Sequence, residues 1–395
     1  MDSLSNFKLP KQSAKISFMR VGTISAKILV VDDNETNIEI ITHILLSAGY
    51  EIAVAYDGEY ALELLEALDF DLILLDILLP GISGLEAAKQ ILNHNQKKDT
   101  PIIFLSALNE TSDIVRGLNA GAVDYISKPF QEEEVLARIR NQLRIRDLEK
   151  EKNRLIQAIN NDLDLAKANQ QNLVSYHFPP SPAYQIYSSY TPMDKIGGDL
   201  ITYDLLVNGD LDILFGDVTG HGIAAAMVSL MAIITFKTMN KSFMSPSECM
   251  TWIHNTLGPM ISSHFISGVY LRYNPENKLI SYSMAGHHPI FLIRRDQILK
   301  LGTKGFCLMM FPQLQIENEE MILESGDKLF LFSDGMFEVP NKEDHYMGES
   351  AFEGIVKKYL ELGGESFLKN VQSEVLEYAN GMIADDMTML LLEIN

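Results

Sequence analysis

Five short apolar runs in the N-terminal third alternate with helical patterns, and this alternation constrains the fold more than any other feature. Between the first two runs, Ile38, Ile41 and Leu45 share one face of a predicted helix. Strands that alternate with helices form a parallel sheet covered on both faces. The expected strands are 27–31, 51–55, 71–75, 102–105 and 123–127.

Polar residues stand where the strands of this sheet would end. Asp32 and Asp33 follow the first run, Asp76 follows the third, and Ser106 and Lys128 follow the fourth and fifth. The carboxyl ends of parallel strands share one edge of the sheet, where ligands bind at the switch in strand order. Carboxylates gathered there indicate a divalent cation, because oxygen ligands suit magnesium.

The segments around these positions resemble the receiver domain of two-component response regulators. The matching letters are VVDDNETN, LLDILLPGISG, LSA and GAVDYISKPF, in the order of that family. The resemblance implies a flavodoxin-like, doubly wound α/β domain in which Asp76 accepts a phosphoryl group. It assigns the Mg²⁺ site to Asp32, Asp33, Asp76 and the Leu78 carbonyl, and the switch to Ser106, Tyr125 and Lys128.

The segment after Phe130 has a helical pattern that ends at Phe178-Pro179-Pro180, where prolines cannot continue a helix. A dimeric coiled-coil linker is one interpretation, with a four-residue stutter in its heptads. The alternative is a single amphipathic helix lying against one domain, since polar Lys152 and Gln170 occupy seam positions. The apolar seam positions are Ile145, Leu148, Leu155, Ile159, Leu163, Ala166 and Leu173.

The C-terminal half begins with a predicted β-hairpin. Asn208-Gly209 favours a two-residue type I′ turn, in which both residues have positive φ. That turn places Leu200 opposite Asp217 and Asp199 opposite Val218, so the two carboxylates lie side by side. Because such adjacency is repulsive without a cation, the hairpin predicts a metal site at its open end.

Further acids follow or precede other strand-like runs. Asp334 follows the apolar run 328–332, and Asp385-Asp386 precede the run 387–394. Together with Asp199 and Asp217, these acids form the ligand set expected of a two-metal hydrolytic site that takes Mg²⁺ or Mn²⁺.

This half resembles the bacterial metal-dependent Ser/Thr phosphatases of the PPM family, in the branch that dephosphorylates anti-sigma-factor antagonists. The matching letters are MDKIGGD, FGDVTGHGIAA, MAGHHPIF, LESGDKLFLFSDGMFEVPN and DDMTML. The resemblance implies an α+β domain with a central antiparallel β-sandwich flanked by helices, and hydrolysis by water that two metal ions activate. It assigns the metals to Asp199, Asp217, the Val218 carbonyl, Asp334, Asp385 and Asp386, and gives His221 either proton transfer or a structural role.

The sequence departs from the phosphatase pattern near the mouth of the expected site. Leu308-Met309-Met310 stand where the family usually shows a Pro-Leu-Gly turn, so a glycine is lost. This departure affects the substrate side of the site rather than the metal ligands.

Composition narrows the class of protein. The formal net charge of −21 argues against binding of nucleic acid phosphates, and Cys249 and Cys307 lack partners at zinc spacing. Without an apolar leader or spanning segment, we expect a cytoplasmic protein that contacts no membrane. Its 395 residues are divided into a flexible tail (1–25), a receiver (26–144), a coiled-coil linker (145–177) and a phosphatase domain (178–395).

The sequence therefore predicts a response regulator whose output is dephosphorylation of phosphoserine or phosphothreonine on a protein, controlled at Asp76. The expected partners are a sensor histidine kinase or phosphotransfer protein, a phosphorylated anti-sigma-factor antagonist, and a second copy of this chain bound through the linker helix. The alternative is a catalytically silent phosphatase fold that binds a sigma-regulatory protein under receiver control.

Overall fold

The computed structural model describes residues 26–93, 99–106, 119–174, 178–261 and 263–395. The chain divides into two compact units, of which the first ends at Gln157 and the second begins at Ala158. The predicted tail, Ala107 of the LSA motif and residues 175–177 of the predicted linker lie outside the described residues. Within the described ranges, every helix is too short or too polar to cross a lipid bilayer.

The first unit is the parallel α/β domain that the alternating pattern predicts. Its five strands pair in the order β2-β1-β3-β4-β5, with buried hydrophobic clusters on both faces. Side chains of Asn34, Asp57 and Ser83 accept backbone N–H groups at the starts of three helices. The elements are β1 Lys27–Val31, α1 Glu35–Ser47, β2 Glu51–Ala55, α2 Gly58–Ala67, β3 Leu72–Asp76, α3 Gly84–Leu92, β4 Ile102–Ser106 and β5 Asp124–Ser127.

The register of this sheet brings the predicted site residues to one edge. Val31 of β1 pairs with Leu75 of β3, so the following residues, Asp32 and Asp76, lie next to each other. This edge includes the switch in strand order, because β2 lies on one side of β1 and β3 lies on its other side.

Helix α4, Glu132–Leu173, is a single helix of 42 residues. The predicted linker is therefore continuous with the last receiver helix. In the first unit, Arg146 on this helix donates to the Phe70 carbonyl over 3.0 Å. Farther along, the seam residues Leu148 and Ile159 are exposed, whereas Gln170 is buried.

The second unit is a sandwich of two antiparallel sheets, in the orders β13-β10-β9-β8-β7 and β12-β11-β14-β15-β6. This arrangement confirms the predicted fold class. The strands are β6 Tyr184–Thr191, β7 Leu200–Leu205, β8 Leu211–Val218, β9 Ile266–Asn274, β10 Leu279–Ala285, β11 Ile290–Arg294, β12 Gln297–Leu301, β13 Glu319–Ile322, β14 Lys328–Phe332 and β15 Met387–Ile394.

Helices cover both outer faces of the sandwich. Helices α5, Ile223–Thr238, and α6, Pro246–Leu257, pack on the first sheet, while α8, Gly364–Tyr378, packs on the second beside α7, Gly348–Lys358. One buried hydrophobic cluster includes side chains of both sheets and of α5 and α6. Another joins the second sheet to α7 and α8.

The β7–β8 hairpin corrects the predicted register by one residue. Leu200 pairs with Gly216 rather than Asp217, so the same register places Asp199 directly opposite Asp217. The predicted type I′ turn is wrong, because only Gly209 has a positive φ, of 87°. Leu206 donates its N–H to the Asp210 carbonyl, and a glycine in this conformation lengthens the loop by one residue.

Candidate functional site

The acids of the first unit form a compact group at the carboxyl edge of the parallel sheet. Carboxylate oxygens of Asp32, Asp33 and Asp76 lie within 4.8 Å of one another. Asn37 orients the first of these, since its Nδ2 donates to Asp32 Oδ1 over 3.0 Å. Three oxygen ligands on one side suit Mg²⁺, which keeps its other coordination positions for water or phosphate.

Lys128 neutralises part of this charge. Its Nζ lies 2.7 Å from Asp32 Oδ2 and 2.6 Å from Asp76 Oδ2. Burial raises the pKa of Asp76, and the hydrogen bond from Lys128 opposes that rise. The lysine therefore lies where an incoming phosphoryl oxygen on Asp76 would meet a positive charge.

The other predicted receiver residues lie near the same edge. Ser106 is buried at the end of β4 and pairs with Ser127 of β5. The Leu78 N–H donates to Asp76 Oδ1 over 3.3 Å, which places the proposed Leu78 carbonyl ligand in the adjoining turn. Tyr125 is half-buried, and the guanidinium carbon of Arg138 lies 5.2 Å from its ring centroid.

The acids of the second unit come from both sheets and meet at one end of the sandwich. Asp199 precedes β7 and Asp217 lies in β8, while Asp334 follows β14 and Asp385 precedes β15. The two sheets are joined at this point, because Thr388 of β15 donates its hydroxyl to Asp199 Oδ2. Residues far apart in sequence therefore form a single acidic group.

Burial and mutual repulsion raise the pKa values of these acids. Burial, then the charges of Asp217 and Asp386, raise the pKa of Asp199 well above its usual range. Burial, then the charge of Asp334, raises the pKa of Asp217 to about 7. Burial and the Asp385 carboxylate raise the pKa of Asp334 to about 6.

The group lacks a cationic side chain. Among the described residues, none of Asp199, Asp217, Asp334 and Asp385 forms an ion pair with Lys, Arg or His. In addition, Asp199 Oδ1 is buried without a hydrogen-bond partner. An unpartnered carboxylate oxygen among repelling acids fits a divalent cation, which would satisfy that oxygen and return the group to its ionised form.

Asp386 lies among these acids and contacts the loop before β7. Its Oδ1 accepts the Met193 N–H over 2.7 Å, and its Oδ2 accepts the Gly198 N–H over 2.6 Å. A Cβ on Gly197 would lie 2.1 Å from Asp386 Oδ2, so this close approach requires glycine. Both oxygens hold the loop that carries Asp199, so Asp386 orients that loop.

His221 and Val218 lie at the rim of the acidic group. The side chain of His221 is 64% exposed, and its Nδ1 lies 3.5 Å from Asp194 Oδ2. The imidazole is thus paired with a surface carboxylate, which supports a structural role more than proton transfer. Val218 is buried, and a Cβ on Gly198 would lie 3.0 Å from its carbonyl oxygen, so this carbonyl faces the loop before Asp199.

Gln170 contacts the loop that precedes Asp199, although its heptad spacing predicted only a position in a helical seam. Its side-chain amide donates to the Gly197 carbonyl over 2.7 Å and accepts the Gly197 N–H over 3.3 Å. Nearby, Lys195 Nζ donates to Asp164 Oδ1 over 2.6 Å. The signal in the sequence was a polar residue at an apolar heptad position, and its partner lay outside the helix.

Comparison with known families agrees with this geometry. Residues 28–140 match the family described as the response regulator receiver domain, and residues 208–395 match the family described as stage II sporulation protein E (SpoIIE). The chain contains a response regulator receiver domain and a SpoIIE-type domain. The predicted pair of families is confirmed.

Curated relatives match this chain through its receiver domain. The transcriptional regulatory protein DltR of Streptococcus agalactiae is 46% identical over 114 residues, which cover 29% of this chain and 50% of DltR. The DNA-binding response regulator MtrA of Mycobacterium bovis is 41% identical over 125 residues, covering 32% of this chain and 54% of MtrA. The chain thus spans about half the length of the curated relatives it matches.

A solved structure matches the fold of the C-terminal half. The SiaA-PP2C domain of Pseudomonas aeruginosa aligns with a TM-score of 0.53 and 16% identity, covering 61% of this chain and 98% of that domain. This similarity identifies the fold as that of a PP2C-like phosphatase domain.

Proposed function

We propose that this protein is a metal-dependent phosphatase acting on phosphoserine or phosphothreonine of a protein substrate, and that phosphorylation of Asp76 controls it. The observation that carries the proposal is the acidic group formed by Asp199, Asp217, Asp334 and Asp385 at one end of the sandwich. These four acids have no described cationic partner, and they stand on a phosphatase fold.

In the proposed site, Asp199, Asp217, the Val218 carbonyl, Asp334 and Asp385 would hold two metal ions. When bound, Mn²⁺ or Mg²⁺ would polarise a phosphoryl oxygen and lower the pKa of a coordinated water. The unpartnered Oδ1 of Asp199 and the raised pKa values of its neighbours support this ligand set.

The surrounding residues fix the acids before substrate arrives. Thr388 donates to the Asp199 side chain, while Ser229 donates its hydroxyl to the Asp199 carbonyl over 3.2 Å. Ser333 donates to the Asp386 carbonyl over 2.9 Å, which joins the strand ends that carry Asp334 and Asp385. Ligands held in place in this way need little rearrangement when phosphate binds.

The input site is the receiver edge. A sensor histidine kinase or phosphotransfer protein would phosphorylate Asp76 with Mg²⁺ held by Asp33, Asp76 and the Leu78 carbonyl beside Asp32. Lys128 and Ser106 would contact the phosphoryl group, and Tyr125 would change orientation. The short distances from Lys128 to both buried acids support this arrangement.

Helix α4 is the proposed route between input and output. It begins in the receiver unit and ends in the phosphatase unit, where Gln170 makes two hydrogen bonds to Gly197, two residues before Asp199. A rotation or shift of the helix would therefore act on the loop that carries a metal ligand. Its exposed residues Leu148, Leu155 and Ile159 would pair with a second copy of the chain.

The substrate that we propose is a phosphorylated anti-sigma-factor antagonist. The sequence motifs of the C-terminal half support this choice, because they resemble the phosphatases that act on such antagonists. We retain 26–144, 145–177 and 178–395 as the proposed receiver, linker and phosphatase segments.

Two variants test the phosphatase acids and the receiver aspartate separately. Asp217→Asn removes one of the proposed metal ligands. We expect turnover of p-nitrophenyl phosphate with Mn²⁺ to fall at least about 100-fold, while the circular dichroism spectrum is unchanged. Asp76→Ala leaves the output acids intact but abolishes the response of turnover to a small phosphoryl donor. Unchanged turnover in Asp217→Asn would contradict the proposed phosphatase site. Binding of a phosphorylated antagonist without hydrolysis would favour the silent adaptor.

A further inference from the structure

The loop from Gly305 to Ile316 is uncharged and carries exposed aromatic side chains. It contains no Asp, Glu, Lys or Arg, although such residues make up 22% of the chain and the net charge is −21. Phe306 and Phe311 are 53% and 48% exposed, and their rings meet edge to face with centroids 4.9 Å apart. Exposed apolar groups of this kind mark interaction surfaces.

This loop lies beside the acidic group. Leu308 and Ile266 exchange both backbone hydrogen bonds, over 2.8 and 3.2 Å, and Ile266 pairs in turn with Val218 of β8. The loop thus pairs with the start of β9, and β9 lies between the loop and the β8 strand that carries Asp217. The exposed Phe306 and Phe311 therefore lie on a loop that is joined through Ile266 to Val218, the residue after Asp217.

Met309 holds the loop in an unusual backbone conformation. Its φ is 66°, in the left-handed region that a bulky side chain rarely adopts. His254 of α6 supports this conformation, since its buried Nδ1 accepts the Met309 N–H over 3.0 Å. A hydrogen bond to α6 therefore stabilises a backbone conformation that glycine adopts more readily than methionine.

We propose that the loop Gly305–Ile316 is a docking lip for apolar residues that flank the phosphorylated residue of a protein substrate, and that His254 is the positioning residue that holds the lip. The inference rests on the proposed phosphatase function and specifies how that site selects its substrate. This protein has a net charge of −21 and would repel an anionic phosphoprotein. Contact between the apolar lip and apolar residues of the substrate does not depend on charge and would favour binding. His254 acts through the backbone of Met309, not on the phosphate.

The test compares two fluorescent peptides of equal length and charge that bind the full chain in Mn²⁺. Both carry a non-hydrolysable phosphonate analogue of phosphoserine, flanked in one by Leu and Met and in the other by Ser and Gln. By fluorescence anisotropy, we expect the wild type to bind the apolar peptide about fivefold more tightly. A Phe306→Ser/Phe311→Ser variant should bind both equally.

Variants at His254 test the positioning role. His254→Ala should lose most of the preference, while His254→Asn keeps an acceptor near the position of Nδ1 and should retain it. Adding Met309→Gly to His254→Ala should restore the preference, because glycine adopts the left-handed conformation unaided. His345→Ala, a change at an exposed histidine elsewhere on the unit, is the matched control and should behave as wild type.

Equal affinities of the wild type for the two peptides, or a preference that survives Phe306→Ser/Phe311→Ser, would contradict the proposed docking role of the loop. A preference that is intact in His254→Ala would overturn the role of His254. Turnover of p-nitrophenyl phosphate by the wild type is measured in parallel and reports on the phosphatase alone. If the protein is inactive but still prefers the apolar peptide, the result would contradict the proposed phosphatase activity and support the docking role of the loop.

Discussion

The two acidic sites of this protein differ in how their negative charge is balanced. In the receiver, Lys128 lies within 2.7 Å of both Asp32 and Asp76. In the phosphatase unit, burial and repulsion raise the pKa of Asp217 to about 7 and that of Asp334 to about 6. A lysine thus offsets the acidic charge in the receiver, whereas burial and mutual repulsion act on the acids of the phosphatase unit without a described cationic side chain beside them.

Metal binding gives the largest expected difference between the sites. At pH 8, Mn²⁺ at 100 times its dissociation constant should stabilise the phosphatase unit by about 2.7 kcal/mol, since the ions bind only the folded acids. Urea unfolding followed by the fluorescence of Trp252, the single tryptophan, reports on this unit. Asp217→Asn should lose most of the effect, and an equal gain in that variant would contradict the proposed ligand set.

The pH dependence of stability without metal is the next largest effect. The ordinary pKa of Asp217 is 3.8 and its folded pKa is about 7, so the folded state retains a proton that the unfolded state has released. Stability should therefore fall as pH rises from about 4 to 7, by on the order of 2 kcal/mol between pH 5 and 8. We expect a flatter profile for Asp217→Asn in EDTA. If the stability of the wild type instead rises over this pH range, the raised pKa of Asp217 would be contradicted.

Removing the receiver lysine should make the first site resemble the second. Lys128→Met leaves Asp32 and Asp76 without their cation, and should lower the unfolding free energy of the receiver by about 1 to 2 kcal/mol, less than for a fully buried pair. Mg²⁺ should recover part of this loss. Far-ultraviolet circular dichroism in urea measures it, with Lys150→Met as control because that lysine is exposed and lies 3.5 Å from Asp71. Equal stability of the two variants would show that Lys128 contributes nothing.

The smallest expected effect on stability concerns the contact between α4 and the phosphatase loop. Gln170→Ala removes two hydrogen bonds to Gly197 and should destabilise the phosphatase unit by about 1 kcal/mol. It should also weaken the response of turnover to a phosphoryl donor. Gln171→Ala, at the exposed neighbouring position, should change neither quantity. If Gln170→Ala keeps the full response, α4 does not act through this pair.

Local sequence patterns predicted the secondary structure well where each element depends on its own residues. The strands β1 Lys27–Val31, β14 Lys328–Phe332 and β15 Met387–Ile394 have the bounds that their apolar runs predict. The β7–β8 turn did not follow, because Asn-Gly is compatible with more than one loop length. The choice of a glycine bulge moved the register by one residue and placed Asp199 opposite Asp217.

Contacts between distant segments were beyond the reach of sequence reasoning. Asp386 was predicted from its place before a strand, and only the fold shows that its oxygens accept backbone N–H groups of Met193 and Gly198. Gln170 was placed in a seam, yet it binds Gly197. A carboxylate or an amide has the same letter whether it meets a cation or a backbone group, and only the folded chain brings its partner near.

The sequence by itself determined the two families, the alternation of elements and the acids at strand ends, because these follow from local periodicity and from motifs in order. Only the tertiary structure decided which acids are balanced by Lys128, which lack a described cationic partner and which hold a loop, and that His254 supports Met309. Charge balance and backbone strain depend on distances of a few ångströms between residues far apart in sequence. Those distances are set by the packing of whole sheets and helices.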